Sequence, residues 1–500
     1  MESLPLKLKV LVFGNLRKDD LLSSALVCRA WRGVAWDEVM WKTFTIRLSG
    51  LLETLLGEND LYDIDDDDII PFISSSDPKG FLAVAAKATS IRLDVALFEN
   101  LIKALSDVAN SAPGNILFPV LHTLDWGEFD EPPADLAHTL FTGSPIKRIR
   151  WDGGHFEGTS VASRKLLSSL LLAHPQIQDV AAIEDHRPES TGTPEFWRLP
   201  DLRSLRYDGR ISYEEWTKLI QGCPKLDRLE LKGCSRASNP TNRDPLLAPS
   251  LRELTLPDFW SSDLTIAILG STNAPHLRAL YLDGEARRLK EEKEHPNASR
   301  ARTALRMVAE RSKRLEILYV QTSIELGVEF LAAFSSLKRL RVTDTTPDYQ
   351  MNDSDIESLC PSLPLLSNFD LYCSLPRDGD CPKITPKSFG SFARHCKQLA
   401  SLGLPVAATN PEDYAGSILT ELVPFGENLK HLSLTTLAIL ADRQRDFVSF
   451  LIVQCPKLTS LSFFIFKITD QKVSTYNIRF MIMGMRNAYF KAQAALEIAP

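Results

Sequence analysis

The chain is 500 residues long, 44% apolar and 24% charged, with a formal net charge of −7. That is the make-up of an ordinary folded protein with room for several domains or one long repeat array. It lacks the basic excess that draws a protein to nucleic acid, and no apolar run reaches the roughly 18–20 residues that span a bilayer. Neither nucleic acid nor membrane is expected as a partner, and the N-terminus shows no signal-peptide pattern. Eight cysteines are too sparse for a disulfide scaffold. They form no C-x-x-C and have no closely spaced histidines, so no metal site is predicted. Read as small buried side chains, they suit a reducing compartment, cytoplasmic or nuclear.

Apolar residues in the first forty positions fall at helical spacings: Leu4, Leu8, Leu11 and Val12, Leu16, then Leu21, Leu22, Ala25 and Leu26, then Trp31, Val34 and Trp41. Pro5 suits a helix start, and Asp19 or Asp20 can cap the next helix. A segment of about 40 residues buries too little surface to sustain a core of its own, so its surplus apolar positions point to a partner. The combination of Leu4-Pro5, Leu8, Val12-Phe13, Leu16, Asp20-Leu21, Val27-Cys28-Arg29, Trp31 and Trp41 resembles the F-box, with Lys7 where the family often carries Glu. The resemblance implies a three-helix module that binds the adaptor subunit of cullin-RING ubiquitin ligases, and the cullin through it. The adaptor-binding residues it implies are Leu4, Pro5, Leu8, Val12, Phe13, Leu16, Leu21, Val27, Cys28 and Trp31. The residues alone also suit a helical cap on the array that follows.

Residues 53–68 are acidic and end in Asp65-Asp66-Asp67-Asp68. An EF-hand loop counted from Asp63 would need Gly at its sixth position and Glu at its twelfth, where this chain has Asp68 and Ser74, so a solvated loop is expected and calcium is not. Helices are predicted over 81–87 and 97–109, with Ile91 and Leu93 as a degenerate strand between them.

From Leu121 the motif apolar-x-x-apolar-x-apolar recurs, beginning Leu121/Leu124/Trp126 and Ile146/Ile149/Trp151, and weakly as Ile177/Val180/Ala182. It continues through Leu202/Leu205/Tyr207, Leu226/Leu229/Leu231, Leu251/Leu254/Leu256 and Leu277/Leu280/Leu282, and returns as far as Leu458/Leu461/Phe463. Such a motif repeating every 20–29 residues is the mark of leucine-rich repeats. The alternating second and third apolar positions predict a half-buried strand. Helical stretches such as 213–221 and 447–453 follow, and Pro175, Pro224, Pro249, Pro275 and Pro456 stop the helices before the next motif. A single strand–helix unit cannot bury its apolar face, so stacked neighbours must supply one core.

The expected fold class is therefore α/β: a three-helix F-box-like module followed by a leucine-rich-repeat solenoid, with a curved parallel sheet inside and helices outside. The expected divisions are 1–45 for the docking module and 46–120 for a linker with the acidic loop and degenerate repeats. The solenoid takes 121–475 and a capping helix 476–500. The charged stretch 285–314 lengthens one repeat. Its Ala304, Leu305, Val308 and Ala309 form an apolar helical stripe, and its Arg and Lys residues could also serve nuclear import or a partner.

No G-x-S-x-G, H-E-x-x-H or G-x-x-x-x-G-K-[ST] is present, so no catalytic residue, cofactor or enzyme activity is expected. The informative positions are polar residues within the strands, which face away from the core. Arg148, Arg150, Arg206, Arg228, Tyr281, Tyr319, Arg339, Arg341 and Tyr372 are the candidate target-binding residues, Arg and Tyr being favoured interface anchors. An acidic or phosphorylated partner would suit the arginines; cross-strand Arg–Asp ladders would neutralise them instead. The resemblance to F-box/leucine-rich-repeat proteins implies a substrate receptor of a ubiquitin ligase for a target the sequence does not name. The alternative is a non-catalytic repeat scaffold whose N-terminal module serves a non-degradative assembly.

Overall fold

The typical described repeat opens with the same turn. The N–H of its first apolar residue donates to the carbonyl three residues earlier: Ile177 to His174, Leu226 to Cys223, Leu277 to Ala274, Leu315 to Ser312 and Leu399 to Cys396. Where Pro follows the acceptor, as at Pro224 and Pro275, it occupies the turn position that its fixed φ suits. The next two N–H groups share one carbonyl of the preceding repeat, as Gln178 and Asp179 do with Lys147. Register is thereby set before the strand begins, and the motif's apolar residues all face the core.

The computed structural model describes residues 46–47, 82, 85–93, 99–126, 138–152, 160–183, 193–234, 245–257, 262–283, 298–322, 328–344, 351–373, 383–413, 423–439, 444–468 and 475–498. They fall in two compact units, Met1–Gly233 and Cys234–Pro500.

The first unit contains β1 (Ile46–Arg47), β2 (Ser90–Leu93), α1 (Glu99–Asn110), β3 (Thr123–Trp126), β4 (Arg148–Asp152), α2 (Ser160–Ala173), β5 (Asp179–Ile183), β6 (Ser204–Ile211), α3 (Tyr213–Gly222) and β7 (Arg228–Cys234). The strands lie in sequence order, and the paired ladders from β1 to β6 are parallel. Trp126 and Trp151 are register partners. They are buried and their rings stack at 4.7 Å, so the core here rests on aromatic area. Helix α3 begins with a capping box, Ser212 exchanging side-chain and backbone bonds with Glu215. It ends at Gly222, where a Cβ would lie 2.1 Å from the Trp197 carbonyl oxygen, and the close backbone approach admits only glycine.

The second unit contains β8 (Leu246–Leu247), β9 (Glu253–Leu256), α4 (Asp263–Ser271), β10 (Thr272–Asn273), β11 (Ala279–Leu282), α5 (Ala298–Arg311), β12 (Ile317–Thr322), α6 (Val328–Ala332) and β13 (Arg339–Asp344). It continues with α7 (Asp353–Leu359), β14 (Asn368–Cys373), α8 (Ser388–His395), β15 (Ser401–Ala408), β16 (His431–Ile439), α9 (Gln444–Gln454), β17 (Ser460–Ile468) and α10 (Thr475–Ile498). The parallel ladder runs β9-β11-β12-β13-β14-β15-β16-β17, and β8 pairs with β10 apart from it. This is the α/β leucine-rich-repeat architecture. Pro405 sits in β15 at a register shift, which accommodates a residue that cannot donate to the ladder. Helix α5 buries Ala304, Leu305, Val308 and Ala309, so the apolar stripe of the charged insertion is core.

The cysteines do more than fill space. Cys223, Cys360, Cys396 and Cys455 are free and buried. The Cys223 Sγ donates to the Phe196 carbonyl at 3.3 Å, and the Cys396 Sγ lies 3.6 Å from the Leu363 carbonyl. Ser312 Oγ makes the equivalent bond to Ala274 at 2.9 Å. A small donor at the helix stop thus adds a second bond to a carbonyl of the preceding repeat that already accepts a backbone N–H. Burial pushes the Cys223 thiol up to about 12. At the far end, α10 packs on the last repeat: Tyr489 is fully buried and its hydroxyl donates to the Cys455 carbonyl at 2.5 Å, while Gln493 Nε2 donates to Pro456. Among the described residues no helix is long and apolar enough to cross a membrane.

Candidate functional site

In each unit one set of strand side chains faces the core and the alternate set lies on the open face of the sheet, as the pleat dictates. Cross-strand register decides which open-face residues meet.

In the first unit it makes a charge ladder. Arg148 is opposite Asp179 and Arg148 Nε donates to Asp179 Oδ2 at 2.9 Å. Arg206 pairs with Glu230 at 3.3 Å, and Lys232 with Asp208 at 3.3 Å. Arg150 lies between Asp125 and Ala181 and is exposed, as is Arg228 at the start of β7. Of the two readings left open for these arginines, the ladder describes Arg148 and Arg206. Such exposed pairs stabilise by only about 0–1 kcal/mol, but they occupy guanidinium groups that a partner would otherwise find free.

In the second unit the same geometry makes a different surface. Register places Thr255, Tyr281, Tyr319, Arg341 and Asp370 side by side in one transverse row. The Tyr281 and Tyr319 rings meet edge to face at 4.9 Å. The Arg341 guanidinium lies over the Tyr372 ring, 4.8 Å from its centroid, a cation–π arrangement. The parallel row holds Glu253, Ala279, Ile317, Arg339 and Asn368. Burial pushes the Asp370 carboxyl above the usual carboxylate range, against the pull of Arg341. Burial and the Asp370 charge likewise raise the Tyr372 phenol.

The row closes at β15. Gly403 is the register partner of Asp370, and a Cβ there would lie within 2.4 Å of Asp370 Oδ1, so the missing side chain is what lets the carboxylate settle over the strand. The open-face positions Gly403, Pro405 and Ala407 are all buried. Sequence reasoning placed Arg341, Asp370 and Tyr372 on the open face but did not join them in one cluster, and it did not name Gly403. Aligning the motifs Leu340/Val342, Phe369/Leu371 and Leu402/Leu404 would have placed all four on adjacent strands.

The ten residues implied to bind an adaptor, Leu4 to Trp31, lie outside the described residues, as does the acidic stretch 53–68. Residues 1–47 match the F-box-like family model. The N-terminus is F-box-like. The F-box-like match ends at Ile46–Arg47, the two residues that form β1 and pair with β2. No curated protein matches the chain. Among solved structures, the complex of Rad7 and Elc1 in yeast is similar at 15% identity over 75% of this chain and 85% of that one, with a TM-score of 0.35. An internalin, InlF, from Listeria monocytogenes is similar at 13% identity over 83% and 94%, TM-score 0.33. The TLR13–ssRNA13 complex is similar at 13% over 80% of this chain and 48% of that one, TM-score 0.39. At these TM-scores the likenesses add nothing to the parallel ladder, on which the fold assignment rests. Among the described residues no cluster of three or more His, Cys, Asp or Glu could hold a metal ion.

Proposed function

We propose that this protein is the substrate-recognition subunit of a Skp–cullin–F-box type ubiquitin ligase, docking the adaptor by its N-terminus and a target protein by its repeat sheet. The observation that carries the reading is the F-box-like match over residues 1–47 at the head of a chain whose remaining described elements are leucine-rich repeats with an open, polar and aromatic sheet face. F-box domains bind Skp1-like adaptors, and an adaptor recruits the cullin in turn. The contribution of such a subunit is positional: tethering raises the effective concentration of a target lysine near an enzyme bound elsewhere in the assembly. The chain itself then acts as an interaction scaffold without catalysing a step. The test is capture of adaptor and cullin by the full chain, compared with a Leu8→Asp/Leu21→Asp variant. Capture that is lost in the variant supports docking through the F-box-like residues, and undiminished capture defeats it. Adaptor recovered without any cullin would favour a non-degradative assembly over the ligase.

A further inference from the structure

The open face of the second unit has a polarity that neither the repeat nor the F-box-like module requires. Its centre is apolar and aromatic: Tyr281 and Tyr319 in edge-to-face contact, with Ala279 and Ile317 beside them in the next row. Along the edge where the strands begin, exposed cations gather. Arg278, Lys338 and Arg339 stand at the starts of β11 and β13, and Lys313 and Arg314 in the turn that enters β12. Lys338 is held by Glu316 at 3.1 Å and Arg314 lies 3.5 Å from His276. Arg278, Lys313 and Arg339 have no carboxylate partner among the described residues. A chain of net charge −7 has acidic groups to spare, so these cations beside two half-buried tyrosines are a local arrangement.

We infer that this face binds an extended acidic segment of a partner protein, its carboxylates on Arg278, Lys313 and Arg339 and an apolar or aromatic side chain on the Tyr281–Tyr319 seat. The inference rests on the receptor reading in assigning that segment to a target; the binding itself does not depend on it. The dimensions suit a peptide. From β9 to β14 is four strand spacings, about 19 Å, which an extended chain crosses in about six residues. The platform ends where Gly403 is covered by the Asp370 carboxylate. That carboxylate repels an acidic segment at one end and so sets its placement toward Arg339 and Arg278. Arg341, stacked on Tyr372, is already oriented and loses little freedom on pairing. A nucleic-acid strand is the poorer fit, because Glu253, Glu316 and Asp370 interrupt the cations that a phosphate backbone would need in succession.

The probe is a labelled poly(Glu,Tyr) copolymer, read by fluorescence anisotropy against the purified full chain, with poly(Glu), poly(Lys,Tyr) and oligo-dT as comparators. Wild-type protein is expected to bind poly(Glu,Tyr) more tightly than poly(Glu), to weaken with added salt, and to ignore poly(Lys,Tyr). Arg278→Glu with Arg339→Glu should weaken binding by at least about tenfold, and Tyr319→Ala by a similar factor. Arg278→Gln with Arg339→Gln, which leaves the surface neutral, should also weaken it, and circular dichroism checks that each variant is folded. The inference is overturned by absent binding in the wild type, by equal binding in folded charge variants, or by oligo-dT binding as well as the copolymer. Adaptor capture, measured on the same variants, should be unchanged. Copolymer binding without adaptor capture in the wild type would remove the receptor reading and leave this surface standing.

Discussion

Glu215 holds two parts of the first unit together through one carboxylate. Its Oε2 accepts the Ser212 N–H at 2.7 Å, closing the capping box of α3, and its Oε1 accepts the Thr193 N–H at 2.7 Å. Glu215→Ala leaves both donors without an acceptor. The Thr193 donor left unpaired away from water costs about 1–3 kcal/mol, and the lost bond to the Ser212 N–H about 0.5–1.5 kcal/mol, the Ser212 hydroxyl cap itself being kept, so the expected destabilisation is about 2–4 kcal/mol. In a unit of this size each kcal/mol moves Tm by about 2–4 °C, so scanning calorimetry should show a fall of roughly 5–15 °C at pH 7. The pH dependence is a second signature. Burial alone would raise the Glu215 carboxyl, but the bonds from Ser212 and Thr193 outweigh it and hold the group below its ordinary value. A lowered folded value means that the stabilisation is complete above the usual carboxylate range and drains as pH falls through the folded value. Wild type and Glu215→Ala should therefore converge in acid. A loss under about 0.5 kcal/mol at pH 7, small against the unpaired-donor cost, would refute the reasoning. So would a difference of the same size in strong acid.

Two further perturbations test other parts of the fold. Asp370 has the opposite sign: burial raises its carboxyl, so the fold favours the protonated form, and its stabilisation is present in acid and lost as pH rises from the ordinary value through the raised one. Asp370→Asn should consequently unfold at an equal or higher temperature than wild type at pH 7 and lose that advantage in acid; a lower Tm at pH 7 would count against it. Tyr489→Phe removes the hydroxyl bonded to the Cys455 carbonyl while keeping the ring, and should destabilise the second unit by about 0.5–1.5 kcal/mol in urea unfolding, with α10 losing amide-exchange protection before the strands do.

Much of this architecture is legible in the sequence because one motif states several physical requirements at once. Leu226, Leu229 and Leu231 must all be buried, and their spacing allows only a turn followed by a strand. Register is also legible: aligning Ile149 with Val180 places Arg148 opposite Asp179, and aligning Leu205 with Leu229 places Arg206 beside Glu230. What escaped were interactions that depend on a missing or unusual group. Gly403 carries no side chain to read, so the space it leaves for Asp370 has no pattern. The cysteines read as apolar, and Cys223 and Cys396 are buried as such, yet their thiols also face turn carbonyls, a role that Ser312 shares without resembling them in hydropathy. The residues proposed for docking, between Leu4 and Trp31, rest on their spacing and on the F-box-like match alone.

The two sheet faces also separate residues that look alike in sequence. Arg148 and Arg341 both precede an inward residue of the motif and both lie on an open face. Arg148 already spends its guanidinium on Asp179, so a partner's carboxylate can gain there only the difference between two exposed ion pairs, each about 0–1 kcal/mol. Arg341 is braced on an aromatic ring beside a carboxyl whose burial weakens its hold on charge. Its guanidinium carries N–H donors that a carboxylate can meet in pairs. A partner approaching the second unit therefore meets an arginine whose conformational cost has been met in folding, next to a tyrosine pair that offers apolar area with few rotatable bonds. That difference in preorganisation, set by the register that brings Tyr372 beside Arg341 and Asp179 beside Arg148, is the physical reason to test the proposed partner contact at Tyr281, Tyr319, Arg339, Arg341 and Tyr372 before Arg148 and Arg206.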